Sequence, residues 1–158
     1  MSEFYRLTPK SSSALRNLLS IQTKRLGVIL QEAGLVSPHQ IELALEDKIQ
    51  YPDLRIGDIL AKRGIIKPET ADFFVQDWLN VVRQEEKDAL GYYLKQAALL
   101  DNSQIEAILA EQRETGIRFG TVAVFQGFLK STTLDFFLAY LFPEELNTSP
   151  FINMYSKK

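Results

Sequence analysis

Arg25-Leu26-Gly27-Val28-Ile29-Leu30-Gln31-Glu32-Ala33-Gly34-Leu35-Val36-Ser37-Pro38-His39-Gln40-Ile41 is the stretch whose reading decides the fold. Leu26, Ile29, Leu30 and Ala33 stand at the i, i+3, i+4, i+7 spacing that puts four apolar side chains on one helix face. Gly34 follows where a residue in the left-handed conformation would end that helix. Ser37 then reads as an N-cap, with Pro38 at the first helical position and Gln40 three residues beyond the cap, so a second helix is predicted to start there. It continues through Ile41 and Leu45 to Lys48. The stretch is a helical hairpin.

Laid against itself, the chain repeats this unit of about 24 residues, and such self-similarity takes precedence over any other signal. The second copy runs from Arg55-Ile56-Gly57 through Leu60, Gly64-Ile65-Ile66, Ala71 and Val75 to Trp78, with Pro68 at a helix start. A third opens at Ala89-Leu90-Gly91, passes Ala98-Leu99-Leu100, Ile105 and Leu109, and closes at Gln112; Asp101 is its cap, with Gln104 three residues on. The fourth opens at Arg118-Phe119-Gly120 and passes Gly127-Phe128-Leu129, Leu134 and Leu138 to Leu141. An apolar pair follows each turn and would plug the open end of its hairpin. The spacers inside each pair of copies have room only for a turn. An all-α protein is predicted, with four helical-hairpin repeats arranged as two pairs in which each pair buries what one hairpin cannot. The expected organisation is an N-terminal segment with a short helix over 1–24, a first repeat pair over 25–78, a linker helix over 79–88, a second, divergent pair over 89–141, and a C-terminal tail over 142–158. Phe119, Phe125, Phe128, Phe136, Phe137 and Phe142 cluster around the fourth copy, which predicts the heavier packing there.

Composition narrows the function classes. The 158 residues are 46% apolar and 24% charged, enough for one ordinary core or two small ones. With no cysteine and one histidine, the chain has no thiolate, no disulfide framework and no histidine and cysteine cluster for zinc or iron-sulfur. A net charge of −2 argues against DNA binding by bulk electrostatics, which needs a basic surplus. The basic residues Arg6, Lys10, Arg16, Lys24 and Arg25 near the start, against the one acid Glu3, mark that end for any anionic ligand. No apolar stretch has the length of a secretory signal or a membrane span, so a cytoplasmic location is expected.

Catalytic parts are absent from the pattern. There is no phosphate-binding GxxxxGK[ST] loop, no GxGxxG, GxSxG or HExxH, and a non-enzymatic role is expected. His39, beside Pro38, reads as a solvated first-turn residue. Glu85-Glu86 and Glu144-Glu145 would diverge on a helix, and the Gly116 to Gly120 spacing reads as turns. The informative pattern is arginine, apolar residue, glycine, at Arg25-Leu26-Gly27, Arg55-Ile56-Gly57 and Arg118-Phe119-Gly120. Arginine offers a planar fork for a guanine edge or a phosphate, and glycine lets a ligand approach the backbone. The same pattern is also open to a packing reading, with a solvated arginine at a helix start and a glycine required by close contact.

Arg25-Leu26-Gly27, Leu30, Gly34-Leu35-Val36, Ile41 and Leu45, followed by Arg55-Ile56-Gly57, Leu60 and Gly64-Ile65-Ile66, resemble the tandem 24-residue motifs of the MshEN domain. That domain is the N-terminal regulatory region of many type II secretion and type IV pilus assembly ATPases. The resemblance is good from Arg25 to about Trp78 and weaker, though in register, from Ala89 to Leu141. It implies a helical fold of MshEN-like repeat pairs and binding of the bacterial second messenger cyclic di-GMP between two successive motifs; from the composition, no cofactor or metal is expected. Carried over, Arg25 and Arg55 would meet guanine or phosphate, and Leu26 and Ile56 would pack on base or ribose. Gly27 and Gly57 would allow close approach, while Leu30, Gly34, Leu35, Leu60, Gly64 and Ile65 would complete the turns and apolar walls.

The sequence departs from the motif at several positions. The closing glutamine is Lys48, Trp78 and Leu141 in three copies and is kept only as Gln112; the third copy opens on Ala89; Gln31 replaces an aliphatic residue, and Ala71 a leucine. Lys48 is open to two readings, a phosphate contact or a surface lysine. Trp78 could stack on a base or fill a core. Two functions follow as expectations: a cyclic di-GMP-sensing module that relays to a protein partner, and a ligand-free docking scaffold for pilus, secretion or signalling machinery.

Overall fold

The computed structural model describes residues 25–146. Among these the chain is helical, without an extended strand. Helix α1 (Leu26–Glu32) and α2 (Pro38–Gln50) are followed by α3 (Ile56–Lys62) and α4 (Pro68–Asp72). A π-helical segment, Phe73–Asp77, carries α4 into α5 (Trp78–Arg83). Then come α6 (Leu90–Gln96), α7 (Asn102–Thr115), α8 (Phe119–Phe125), α9 (Ser131–Leu141) and a 3-10 turn, Pro143–Glu145. The short helix expected within 1–24 and the end of the tail lie outside the described residues.

The turns after α1, α3, α6 and α8 are built alike. Gly34, Gly64 and Gly127 have φ of 74°, 75° and 80°, and Ala98 takes the fourth such place with φ 60°. In each, the next amide reaches back across the helix end: Leu35 to the Leu30 carbonyl, Ile65 to Leu60, Leu99 to Leu94 and Phe128 to Ala123, at 2.9 to 3.0 Å. These bonds satisfy carbonyls that a helix end leaves open. The apolar residues behind each turn are buried or half-buried, with Val36, Leu100 and Leu129 in the core.

Helices α2 and α7 start on reciprocal caps. The Ser37 hydroxyl accepts from the Gln40 amide at 3.1 Å while Gln40 Oε1 accepts from the Ser37 amide at 2.8 Å. Asp101 and Gln104 do the same. Helices α4 and α9 start differently. Thr70 Oγ1 donates to the Ala97 carbonyl at 2.7 Å, in the turn after α6, and Thr133 Oγ1 donates to the Ala33 carbonyl at 2.7 Å, in the turn after α1. Lys130 Nζ adds a bond to the Gly34 carbonyl and Lys67 Nζ one to that of Ala98. A helix start in each half thus closes a turn in the other, and both threonines are buried.

One hydrophobic cluster draws on both halves, from Ile29, Leu30, Leu60 and Phe73 to Leu94, Ile108, Val122 and Phe137. Trp78 stacks on Phe136 with centroids 5.2 Å apart, and Phe73 lies parallel to Phe137 at 6.5 Å. The aromatic weight assigned by sequence to the fourth copy is therefore shared across the molecule, while Phe125 is 75% exposed. Trp78 is a core indole, 1% exposed, with an Nε1 that has no hydrogen-bond partner among the described residues. Its base-stacking alternative falls away, because burial leaves no face for a ligand.

The stretch expected as a linker helix over 79–88 is helical only to Arg83. Beyond it Gln84 turns to extended backbone, and Lys87 Nζ donates to the carbonyls of Val82 and Gln84. Burial holds the Lys87 ammonium below its ordinary pKa. Among the described residues no helix is long and apolar enough to cross a membrane, and no acidic, histidine or cysteine cluster could hold a metal ion.

Candidate functional site

Arg25 and Arg55 occupy matching backbone positions, each the extended residue just before a helix, with φ, ψ of −80°, 159° and −83°, 159°. Helices α1 and α3 pack together. A Cβ on Gly57 would come within 3.1 Å of Leu26 Cδ2 and 3.2 Å of Ala71 Cβ, and one on Gly27 within 3.2 Å of Ile41 Cδ1. Gly57 thus lets Leu26 and Ala71 pack close, which brings the two helix starts side by side, while Gly27 faces the tip of Ile41 within its own hairpin. Between the two helix starts lies a hollow of about 250 Å³.

Its walls are Arg25, Leu26 and Gly27 from one motif and Arg55, Ile56 and Gly57 from the other. Asp58, Ala71, Asp72, Val75 and Gln76 close the remaining sides. Both arginines are exposed, and neither guanidinium bonds to another described residue. The Asp58 carboxylate accepts from the Arg55 backbone N–H at 3.1 Å. Two cations, two carboxylates, a primary amide and an apolar floor therefore share one opening, which suits a ligand carrying acceptors, donors and a flat apolar face.

The other predicted site residues do not reach this hollow. Leu30 and Leu60 are fully buried, because they carry the inward faces of α1 and α3. Leu35 and Ile65 pack half-buried on the same core. Gly34 and Gly64 are spent on the left-handed turns at the far ends of those helices. Lys48 Nζ donates to the carbonyls of Leu54, at 2.9 Å, and Pro52, at 3.3 Å, holding the loop that leads into Arg55. Its phosphate-contact reading yields to this positioning one. His39 is solvated as expected, its side chain 77% exposed beside Glu42.

The sequence pattern does not mark Asp58, Asp72 or Gln76 for the site, and it marks Val75 only as an apolar position of the repeat. Asp58 could have been found three residues after Arg55, one helical turn on the same face. Gln76 could not. The repeat aligns the closing glutamine with Trp78, which lies in the core as its counterpart Leu141 does, whereas Gln76 sits two residues earlier, on the π-helical segment.

No protein-family model matches the chain. Over 113 residues it is 38% identical to an uncharacterized protein of Picosynechococcus sp., a match that takes in 72% of this chain and 61% of that relative. The chain thus spans less than two thirds of this relative's length. No solved structure matches.

Proposed function

We propose that the chain is a non-catalytic regulatory module whose four helical hairpins form two MshEN-like pairs, and that the first pair takes cyclic di-GMP and passes the signal to a protein partner. The reciprocal threonine bonds support the paired arrangement, since exchanging the halves maps Thr70 on Ala97 onto Thr133 on Ala33. The observation that carries the ligand reading is the hollow into which both arginine motifs open. Guanine offers N7 and O6 as acceptors to an arginine fork and its amino group as a donor to a carboxylate. Arg25, Arg55, Asp58 and Asp72 supply both halves of that recognition, and Leu26, Ile56 and Val75 supply the apolar surface under a base. At about 250 Å³ the hollow is below the roughly 300–1,000 Å³ of a ligand pocket, so it seats a base and leaves the rest of the dinucleotide along the exposed arginines.

Titration calorimetry with cyclic di-GMP tests the reading. A saturable isotherm that weakens with salt is expected, and Arg25→Ala and Arg55→Ala should each lower affinity by tenfold or more, about 1.4 kcal/mol or above, with the fold intact. A silent wild-type titration at submillimolar ligand would overturn it.

A second reading, the ligand-free docking scaffold, is favoured by the apolar side chains Leu45, Ile49 and Tyr51 at the outer end of α2, of which Ile49 is 81% exposed. On that reading, capture of a protein partner survives the arginine substitutions and fails in Ile49→Asp.

A further inference from the structure

A second hollow, of about 190 Å³, lies where α5 meets α6. Asp77, Asn80 and Gln84 line it from α5 and the residues that flank that helix, and Asp88, Tyr92 and Gln96 from α6 and the approach to it. Beneath them are Val81 and Tyr93, both buried. The hydrogen bonds inside the hollow spend its donors and leave its acceptors. The Asp88 backbone N–H donates to Tyr93 Oη at 2.8 Å, Tyr93 Oη donates to Gln84 Oε1 at 3.4 Å, and Gln96 Nε2 donates to Tyr92 Oη at 3.0 Å. The carboxylates of Asp77 and Asp88 have no cation or hydrogen-bond donor among the described residues. No lysine or arginine lines the hollow, and Lys87, next to Asp88, has its ammonium on the carbonyls of Val82 and Gln84. Tyr92 is 49% exposed, so its ring is open to a guest.

We infer that this hollow takes the guanidinium of an arginine presented by a protein partner. Guanidinium is planar, permanently charged and a donor without an acceptor, which matches two unpaired carboxylates, the amide oxygen of Asn80 and the open face of Tyr92. A lysine ammonium brings the charge but neither the fork nor the flat face. The volume is below the roughly 300–1,000 Å³ of a small-molecule pocket and suits one side chain better than a whole metabolite. Free arginine is the poorer guest, since its α-carboxylate would meet Asp77 and Asp88 as a like charge. Asp77 ends the π-helical segment whose Gln76 lines the first hollow, so the two openings share one stretch of backbone but no lining residue. The inference therefore stands apart from the cyclic di-GMP reading.

Amide chemical-shift titration of the full chain, without cyclic di-GMP, tests it with N-acetyl-arginine amide as the probe and the matching citrulline and lysine amides as controls. The arginine probe is expected to give saturable shifts centred on Asn80, Gln84, Asp88, Tyr92 and Gln96, with a Kd on the order of millimolar for one exposed side chain. Citrulline, which keeps the shape without the charge, should give none, and lysine should bind at least about fivefold more weakly. Asp77 and Asp88 are exposed and their carboxylates hold no contact of the fold, so Asp77→Asn and Asp88→Asn should keep the wild-type Tm. Each should weaken the arginine probe by at least about fivefold, the loss of a charge-assisted contact. Uncapped arginine should bind no more tightly than the capped probe. No saturation by about 50 mM, an equal response to citrulline or lysine, or unchanged affinity in both aspartate variants would overturn the inference. Tighter binding of the uncapped amino acid would overturn the partner's side chain as its guest.

Discussion

Ala98 is the residue at which the repeat departs from its own chemistry. Three of the four hairpin turns place glycine at positive φ, and the third places alanine at φ 60°, where its Cβ crowds the backbone. Ala98→Gly is expected to stabilise the protein by about 1 kcal/mol, and Gly64→Ala, with open space around it but φ of 75°, to destabilise it by a similar amount. Urea denaturation of the two variants checks both signs. At this scale the sequence was readable wherever a residue type is tied to one backbone conformation or one cap, as with Gly34 and with Ser37 and Gln40. It was not readable for Lys48 and Trp78, because a lysine on backbone carbonyls and an indole in a core are choices made by neighbours distant in the chain.

Between elements, the bonds from α4 and α9 to turns of the other half carry the most weight. Thr70→Val and Thr133→Val keep the side-chain shape but leave a buried carbonyl unpaired, and each is expected to cost about 1–3 kcal/mol in chemical denaturation. Equal losses would reflect equivalent roles; a loss at one alone would not. The signal for this contact was present as lysine, threonine and a double phenylalanine at matching places in 67–74 and 130–137. It lies on the second helix of the hairpin, away from the arginine motifs. Helix α2 is tied to the turn after α3 by Arg63, whose Nε donates to Asp47 Oδ2 at 2.6 Å and Nη2 to Oδ1 at 3.0 Å. This hydrogen bonding holds the Asp47 carboxyl below its ordinary value of 3.8. A depressed carboxyl pKa contributes stability above the unfolded value and loses it as pH falls through the folded one. An NMR titration of Asp47 should give a midpoint below 3.8, returning toward it in Arg63→Gln.

Across the whole molecule, one core shared by both halves makes the fold a single cooperative unit. Far-ultraviolet dichroism and Trp78 fluorescence should therefore report one coincident unfolding transition, and two separated transitions would contradict the shared core. The helical class and the place of the hairpins were legible because helical periodicity and capping are local. The joining of the halves was not, since Trp78 meets Phe136 and Phe137 only once the two halves have docked, a contact that no local pattern announces. The hollow was half legible: its arginines and glycines recur at fixed spacing, whereas Asp72 and Gln76 reach it only through the packing of α3 on α4. Amide chemical-shift mapping of the full chain with cyclic di-GMP tests the central claim most directly. Saturable shifts concentrated at Gly27, Gly57, Asp58, Ala71 and Gln76, with Gly91 and Gly120 unmoved, are expected. No shifts at submillimolar ligand, or shifts centred on Gly91 and Gly120, would contradict it.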